Sequence, residues 1–182
     1  DLYSDFGRSL GAHPALDDAE LKELSVAILP LPGGEFYHFG TSRELVSSTL
    51  AIQNSVYDQR QIMHRKLKPN PAIFVQNAAI DYAFTGANSN IWIENSHVHQ
   101  AWKLRTAHII TGVPRNDWHL ALPDGVCLDI VPLKQGGWAV RPYGYDDAFS
   151  GHLASHDTLF LGKAFVHWLA ERGISLQLFG TK

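Results

Sequence analysis

Two segments of this sequence share one pattern of residue types at an offset of 18 residues. Residues 74–80 read Phe-Val-Gln-Asn-Ala-Ala-Ile, and residues 92–98 read Trp-Ile-Glu-Asn-Ser-His-Val. Short β-rich repeats at a fixed period are typical of a parallel β-helix, in which each strand stacks on the equivalent strand of the next coil. A meandering antiparallel sheet, which can repeat by chance, is the alternative that the pattern leaves open.

The repeat lies within a longer region, residues 73–140, that is rich in short β-prone runs and has no helical periodicity. In a β-helix Asn77 would stack on Asn95, and their side-chain amides would form an asparagine ladder along the axis. A weaker third copy, residues 103–109, puts Lys103 level with Trp92.

Helical signals flank this region on both sides. Thr41 and Glu44 fit a capping box, in which the Thr41 hydroxyl accepts from the Glu44 amide and the Glu44 carboxylate reaches back. Apolar residues at helical spacing then continue to about residue 65. The predicted fold class is therefore mainly β with flanking α-helices: a parallel β-helix-like stack over about residues 73–140, with a long helix before it and a helix after it.

Shorter elements are predicted from local signals outside the stack. Before the stack they are a helix over 19–24 behind an acidic cap at Asp17 and Asp18, and strands over 26–29 and 35–39. After the stack they are a final helix and a short strand over 174–179. The final helix runs from a cap at Ser155 or Asp157 through Leu161 and Phe165 to Gly173. The chain divides into residues 1–66 (arm, strands and long helix), 67–148 (β-helix-like region) and 149–182 (helix and tail), which together form one structural domain.

Composition excludes several classes of protein. With 45% hydrophobic residues in 182, the chain is not intrinsically disordered. A net charge of −3 argues against binding driven by nucleic-acid phosphates or anionic lipids, and no run approaches the roughly 18 apolar residues of a membrane span. The single cysteine, Cys127, excludes an internal disulfide, so we expect a reducing compartment, the cytoplasm.

The start of the long helix is the segment with anion-binding chemistry. A helix N-terminus presents free amides and the positive end of its dipole, and Arg43 lies beside it. A phosphate or sugar phosphate suits this position, and an ordinary cap with a surface arginine is the alternative. The candidate substrate-binding residues, chosen on chemistry and expected exposure, are His38, Thr41, Ser42, Arg43, Glu44, Asn95, His97, Arg141 and Tyr143.

Other reactive side chains point to no catalytic or metal centre. His97 and His99 would share one side of a strand, but no spacing selects a third ligand, so no metal site is predicted. Cys127 lies in an apolar run and is expected to be packed, not nucleophilic. The pair at residues 146–147 suits a solvated loop better than a sugar or cation site. No glycine-rich phosphate loop occurs, so no catalytic residue is assigned.

With these residues laid out, the sequence resembles the fucose-1-phosphate guanylyltransferase family, which includes the bifunctional fucokinase/GDP-fucose pyrophosphorylases. The resemblance spans about residues 26–173. It rests on Phe-Tyr-His-Phe-Gly-Thr-Ser-Arg-Glu-Leu at 36–45 and on the blocks at 91–97, 108–114, 122–132, 141–144 and 168–173.

The resemblance implies a part in making GDP-L-fucose from fucose 1-phosphate and GTP during fucose salvage. In that family a Rossmann-like nucleotidyltransferase region lies upstream of the matched part, and a kinase lies downstream. These domains are thus the implied partners, a sugar phosphate is the implied ligand, and Mg²⁺ with GTP is the implied cofactor of the full enzyme, with none in this fragment.

Two interpretations of the chain follow, and we expect the first. The chain, which begins at Asp1 without a methionine, is an excised domain that supplies a structural or sugar-side part and no complete active site. The alternative is a stand-alone β-helix module that binds carbohydrate or acts as a scaffold without catalysis.

Because the sequence lacks a nucleotide-binding signature, we predict that the purified 182-residue chain does not convert GTP and fucose 1-phosphate to GDP-fucose. Chromatography of the nucleotide products measures this directly, and a full-length enzyme of the family serves as positive control. Turnover by the chain alone would contradict the prediction.

Overall fold

A computed structural model describes residues 2–55 and 72–179, and the chain forms two compact units, residues 1–36 and 37–182. The first unit contains a π-helical turn, Leu2–Phe6, and two 3₁₀ turns, Gly7–Ser9 and Leu21–Glu23. The predicted acidic cap is present, since the Asp18 carboxylate accepts the N–H groups of Glu20 and Leu21. The helix predicted over 19–24 is wrong, because only this single 3₁₀ turn follows the cap.

The strands predicted over 26–29 and 35–39 are also wrong, because the chain is irregular in both places. Pro30 and Pro32 have no N–H to donate, so a ladder cannot continue past residue 29. The turn between the two segments is present, with Gly33 at a φ of 72° and the Gly34 N–H donating to the Leu31 carbonyl.

In the second unit, helix α1 spans Ser42–Ser55 and begins as predicted. The Thr41 hydroxyl accepts the Glu44 N–H at 3.2 Å. The Glu44 carboxylate, however, accepts the Gly40 N–H at 3.0 Å, one residue before the partner that a capping box uses. The predicted continuation to about residue 65 lies outside the described residues.

The predicted parallel stack is confirmed. Strands β1 (Ile73–Gln76), β3 (Ser89–Glu94), β5 (Thr106–Thr111) and β6 (Val126–Pro132) lie side by side and parallel, and β2 (Ala79–Ile80) pairs parallel with β4 (His97–Val98). Phe74 lies opposite Trp92, so the first two coils have the 18-residue register of the sequence repeat.

The alignment predicted for the third coil, residues 103–109, is wrong. Ile109, not Lys103, lies opposite Trp92, and Lys103 instead forms a parallel bridge with Ala121. The connection between β4 and β5 first places Trp102 and Leu104 in the core, which delays the start of the next strand. The final run of the repeat region, β7 (Trp138–Gly144), pairs antiparallel with β6 as a hairpin and adds no further coil.

Two columns of residues with left-handed backbone stack along the coils, one just after the strands and one at their beginnings. The first column contains Asn77, Asn95 and Gly112, with φ of 44°, 49° and 66°, and the second contains Asn90, Ala107 and Gly125, with φ of 54°, 61° and 75°. The Asn77 side-chain Nδ2–H donates to the Asn95 side-chain oxygen Oδ1 at 2.5 Å, so the predicted asparagine ladder is confirmed.

The core has two layers because strand side chains alternate between faces. Inside the coils, Ile91, Ile93 and Ile110 are fully buried. His108 is also buried there: its Nδ1–H donates to the Val126 carbonyl, and burial lowers its pKa, so the ring is neutral at physiological pH. On the outer face, Val46 of α1 packs in a buried cluster with outward-facing strand residues and with Tyr145. The strand residues are Trp92, Ile109 and Cys127.

The C-terminal segment contains a small hairpin, β8 (Leu159–Phe160) and β9 (Lys163–Ala164), then helix α2 (Phe165–Ala170) and a 3₁₀ turn, Leu176–Phe179. The helix start predicted at Ser155 or Asp157 is wrong, because Leu161 and Gly162 form the hairpin turn with positive φ. The strand predicted over 174–179 is wrong as well. Gly173 has a φ of 65° after the helix, as predicted.

The division into segments 1–66, 67–148 and 149–182 stays a prediction. No helix among residues 2–55 and 72–179 has the length and apolar character needed to cross a membrane.

Gly112 and Gly125 provide a matched test of the two columns with left-handed backbone. An alanine Cβ at Gly125 would meet no atom within 4 Å, whereas one at Gly112 would collide with the Ile130 carbonyl oxygen. We predict that Gly125→Ala costs about 1–2 kcal/mol of unfolding free energy through backbone strain. Gly112→Ala should cost about 1–3 kcal/mol more through overpacking. Urea denaturation measures both variants, and equal losses would contradict the predicted collision.

Candidate functional site

An open groove of about 950 Å³ lies where α1 begins and β7 ends. Its lining comes from three parts of the chain: residues 40–43, residues 143–150 and Phe160. The packing of α1 on the outer face of the stack brings the first two parts together, because Val46 and Tyr145 belong to the same buried cluster. The groove is thus a consequence of the solenoid register.

Four of the predicted binding residues line this groove: Thr41, Ser42, Arg43 and Tyr143. The Arg43 guanidinium forms an ion pair with Asp146, with its Nε 2.8 Å from the carboxylate oxygen Oδ1. Both side chains are more than half exposed, so the pair is solvated and contributes little to stability. The guanidinium remains open to an anion from solvent.

Tyr143 supplies a neutral donor to the groove. Burial, with a further contribution from nearby Cys127 and Asp129, raises the pKa of Tyr143 to about 12. Burial also raises the pKa of Tyr145. Both phenols therefore keep their protons at neutral pH, and the Tyr143 hydroxyl can donate to a phosphate or sugar oxygen.

Asp147 lines the groove and has a structural role that the sequence did not predict. Its carboxylate accepts three backbone N–H groups, those of Gly144 at 2.7 Å, Leu161 at 2.8 Å and Gly162 at 3.0 Å. It thereby ties the end of β7 to the β8–β9 turn. The expectation of a solvated loop at 146–147 is wrong for this residue, and two of its three partners lie too far along the chain for a local signal.

His38 and Glu44 support the helix start and are not among the groove-lining residues. The His38 Nδ1 lies 2.9 Å from the Glu44 carboxylate, which also accepts the Gly40 N–H. Desolvation alone would raise the pKa of Glu44, but the hydrogen bonds with His38 and Thr41 outweigh it and lower the pKa. This cap fixes the backbone that leads into the groove.

The structure does not bring Asn95, His97 and Arg141 into the groove lining. Asn95 belongs to the asparagine ladder at a coil corner. The buried His97 contacts the Asp81 carboxylate through Nε2 at 2.9 Å and accepts the Asn116 N–H at Nδ1. Arg141 donates from Nε to Asp129 at 2.7 Å across the β6–β7 pair. All three connect coils or strands.

The groove residues outside the predicted set include two acidic residues and three aromatic ones: Asp146, Asp147, Tyr145, Phe149 and Phe160. The aromatic and acidic run at 143–149 was the available signal. Among residues 2–55 and 72–179, no group of three or more His, Cys, Asp or Glu side chains is arranged to hold a metal ion.

The fold and the groove define a small parallel β-helix domain with an open groove on its surface. The fucose pyrophosphorylase domain family matches residues 17–181, and the chain belongs to this family. The family resemblance seen in the sequence is therefore confirmed.

The chain is also 59% identical over 175 residues to the L-fucokinase/L-fucose-1-P guanylyltransferase of Bacteroides fragilis. The alignment covers 96% of this chain and 18% of that protein, so the chain spans less than a fifth of the relative's length. No solved structure matches the chain. These matches do not favour the alternative of a stand-alone β-helix module that binds carbohydrate or acts as a scaffold without catalysis.

Cys127 provides a test of the packing behind the groove. The thiol is fully buried, and burial raises its pKa from 9.0 to about 12. We predict that dithiobis(nitrobenzoate) at pH 8 labels the folded chain at least about tenfold slower than the chain unfolded in guanidinium, because burial shields the thiol and disfavours the thiolate. Absorbance of the released thionitrobenzoate measures both rates. Equal rates would show that Cys127 is accessible and reactive.

Proposed function

We propose that the chain is the sugar-side domain of an enzyme that makes GDP-L-fucose from fucose 1-phosphate and GTP. The observation that carries the proposal is the groove, where the first turn of α1 and Arg43 meet an aromatic wall. Family membership supplies the reaction class. In that reaction an oxygen of the sugar phosphate attacks the α-phosphorus of GTP, and pyrophosphate leaves.

The groove would hold the sugar phosphate for this attack. Ser42 and Arg43 are the first residues of the helix, so their N–H groups have no carbonyl acceptor within the helix. These amides therefore suit a phosphate oxygen. The Arg43 side chain would neutralise part of the phosphate charge, and Tyr143 would donate a hydrogen bond. Fixing the nucleophile in this way lowers the entropic cost of the reaction.

The remaining parts of the reaction would lie elsewhere in a longer polypeptide. We assign GTP to a nucleotidyltransferase domain upstream and the formation of fucose 1-phosphate to a kinase domain downstream. The described residues provide no cluster of carboxylates for Mg²⁺, so the ion would enter with GTP and no step here involves it. The buried free thiol of Cys127 is compatible with a reducing compartment such as the cytoplasm.

An NMR titration of the chain with L-fucose 1-phosphate and with free L-fucose tests the groove. We predict that the phosphate increases affinity and shifts the amide signals of residues 41–43. Arg43→Ala should weaken binding of the sugar phosphate about tenfold, which corresponds to the loss of one charge-assisted hydrogen bond. Binding of free fucose should not change.

Two further variants sharpen this test. Asp146→Asn should strengthen binding of the sugar phosphate, because it removes the carboxylate that competes for Arg43. Arg105→Ala is the matched control, since Arg105 is also an exposed arginine paired with an aspartate, Asp124. If Arg43→Ala binds L-fucose 1-phosphate as tightly as wild type does, the proposed site at the start of α1 is wrong.

A further inference from the structure

Residues 148–149 and Phe160 contribute apolar side chains to the lining of the groove. The Phe149 ring packs edge-to-face on Phe160, with centroids 5.9 Å apart, and on Phe165, with centroids 5.0 Å apart. Even so, Phe149 remains 52% exposed. The two edge-to-face contacts favour this orientation of the ring, and the exposed part of the ring presents an apolar surface.

Asp147 fixes the position of this wall. Its bonds to Leu161 and Gly162 anchor the turn that follows Phe160, and its bond to Gly144 anchors the end of β7. Gly144 has no room for a Cβ, which would collide with the Asp147 carboxylate. The apolar wall and the Tyr143 side of the groove are therefore held by one carboxylate.

The groove thus combines an apolar wall with polar groups. Ala148, Phe149 and Phe160 have no polar side-chain atom, whereas Tyr143, Ser42 and Arg43 all do. A ligand that matches both surfaces has an anionic, hydroxylated part and an apolar group. Among hexose phosphates, a 6-deoxyhexose fits this description, because it has a methyl group at C6 in place of a hydroxymethyl group.

We propose that Phe149 and Phe160 determine specificity for a 6-deoxyhexose by packing against its C6 methyl group. The proposal rests on the proposed function, since it assumes that the sugar phosphate occupies this groove. A C6 hydroxyl placed against the wall loses its hydrogen bond to water and gains no partner from Ala148, Phe149 or Phe160. The wall would therefore bind L-galactose 1-phosphate more weakly than L-fucose 1-phosphate, from which it differs by this one hydroxyl.

Titration of the 182-residue chain with the two sugar phosphates, followed by NMR, tests this proposal. Wild type should bind L-fucose 1-phosphate about tenfold more tightly than L-galactose 1-phosphate, the low end of what an apolar pocket achieves. Phe149→Gln should reduce this preference to about one by weakening the deoxy sugar, and Phe149→Leu should largely keep it. Phe36→Gln is the control, because Phe36 is 87% exposed and does not line the groove.

The outcomes separate the two proposals. Equal affinity of wild type for both sugar phosphates, or an unchanged preference in a folded Phe149→Gln, overturns the methyl wall and leaves the sugar-phosphate site standing. If neither sugar phosphate shifts the groove signals, the proposed site is wrong and the methyl wall falls with it. Circular dichroism of each variant establishes that the compared proteins are folded.

Discussion

The register of the parallel strands is the constraint on which the second unit depends. Each coil turns at residues with left-handed backbone, and equivalent corners stack, so Asn77 lies on Asn95 and Gly112 follows in the next coil. With the corners aligned, side-chain alternation sends Ile91 and Ile93 into the interior and Trp92 to the outer face. A slip of one residue would exchange these faces and bury the polar row that contains Glu94. The corners therefore specify both the inner core and the surface that receives α1.

The groove follows from that outer surface. Val46 inserts among Trp92, Ile109 and Cys127, which sets the position of the first turn of α1. The β6–β7 hairpin places Tyr143 opposite Cys127, so the same row of outer residues leads from the core cluster to the groove. Because β7 runs antiparallel, the chain leaves the stack at Gly144, beside the start of α1, and Arg43 meets Asp146 there. The solenoid thus supplies the scaffold, and the segments on either side of it supply the groove.

Features with local causes were predictable from the sequence, and those with distant partners were not. The Thr41 cap, the ladder between Asn77 and Asn95 and the Gly173 turn each depend on short spacings or on one clear repeat. The third coil was misaligned because buried Trp102 and Leu104 lengthen its connection, and β-prone composition does not encode that detour. Asp147 accepts one N–H from nearby Gly144, but its other two donors lie 14 and 15 positions away, so the local turn does not reveal its role as a tie between segments. For the groove, the helix N-terminus was identifiable, but the aromatic wall arises only from tertiary packing.

The positions of Asn95 and His97 show why a polar residue in a family motif need not lie at a ligand site. In a β-helix each coil must satisfy the polar groups at its corners, since a buried donor or acceptor without a partner is costly. The His97 ring meets this need by joining Asp81 of one coil to Asn116 of another, and Asn95 meets it through the ladder. Arg43 and Tyr143 differ from them because both line the open groove, where the Arg43 guanidinium is solvated. Location on the groove, more than residue type, therefore separates the residues that build this solenoid from those available to a sugar phosphate.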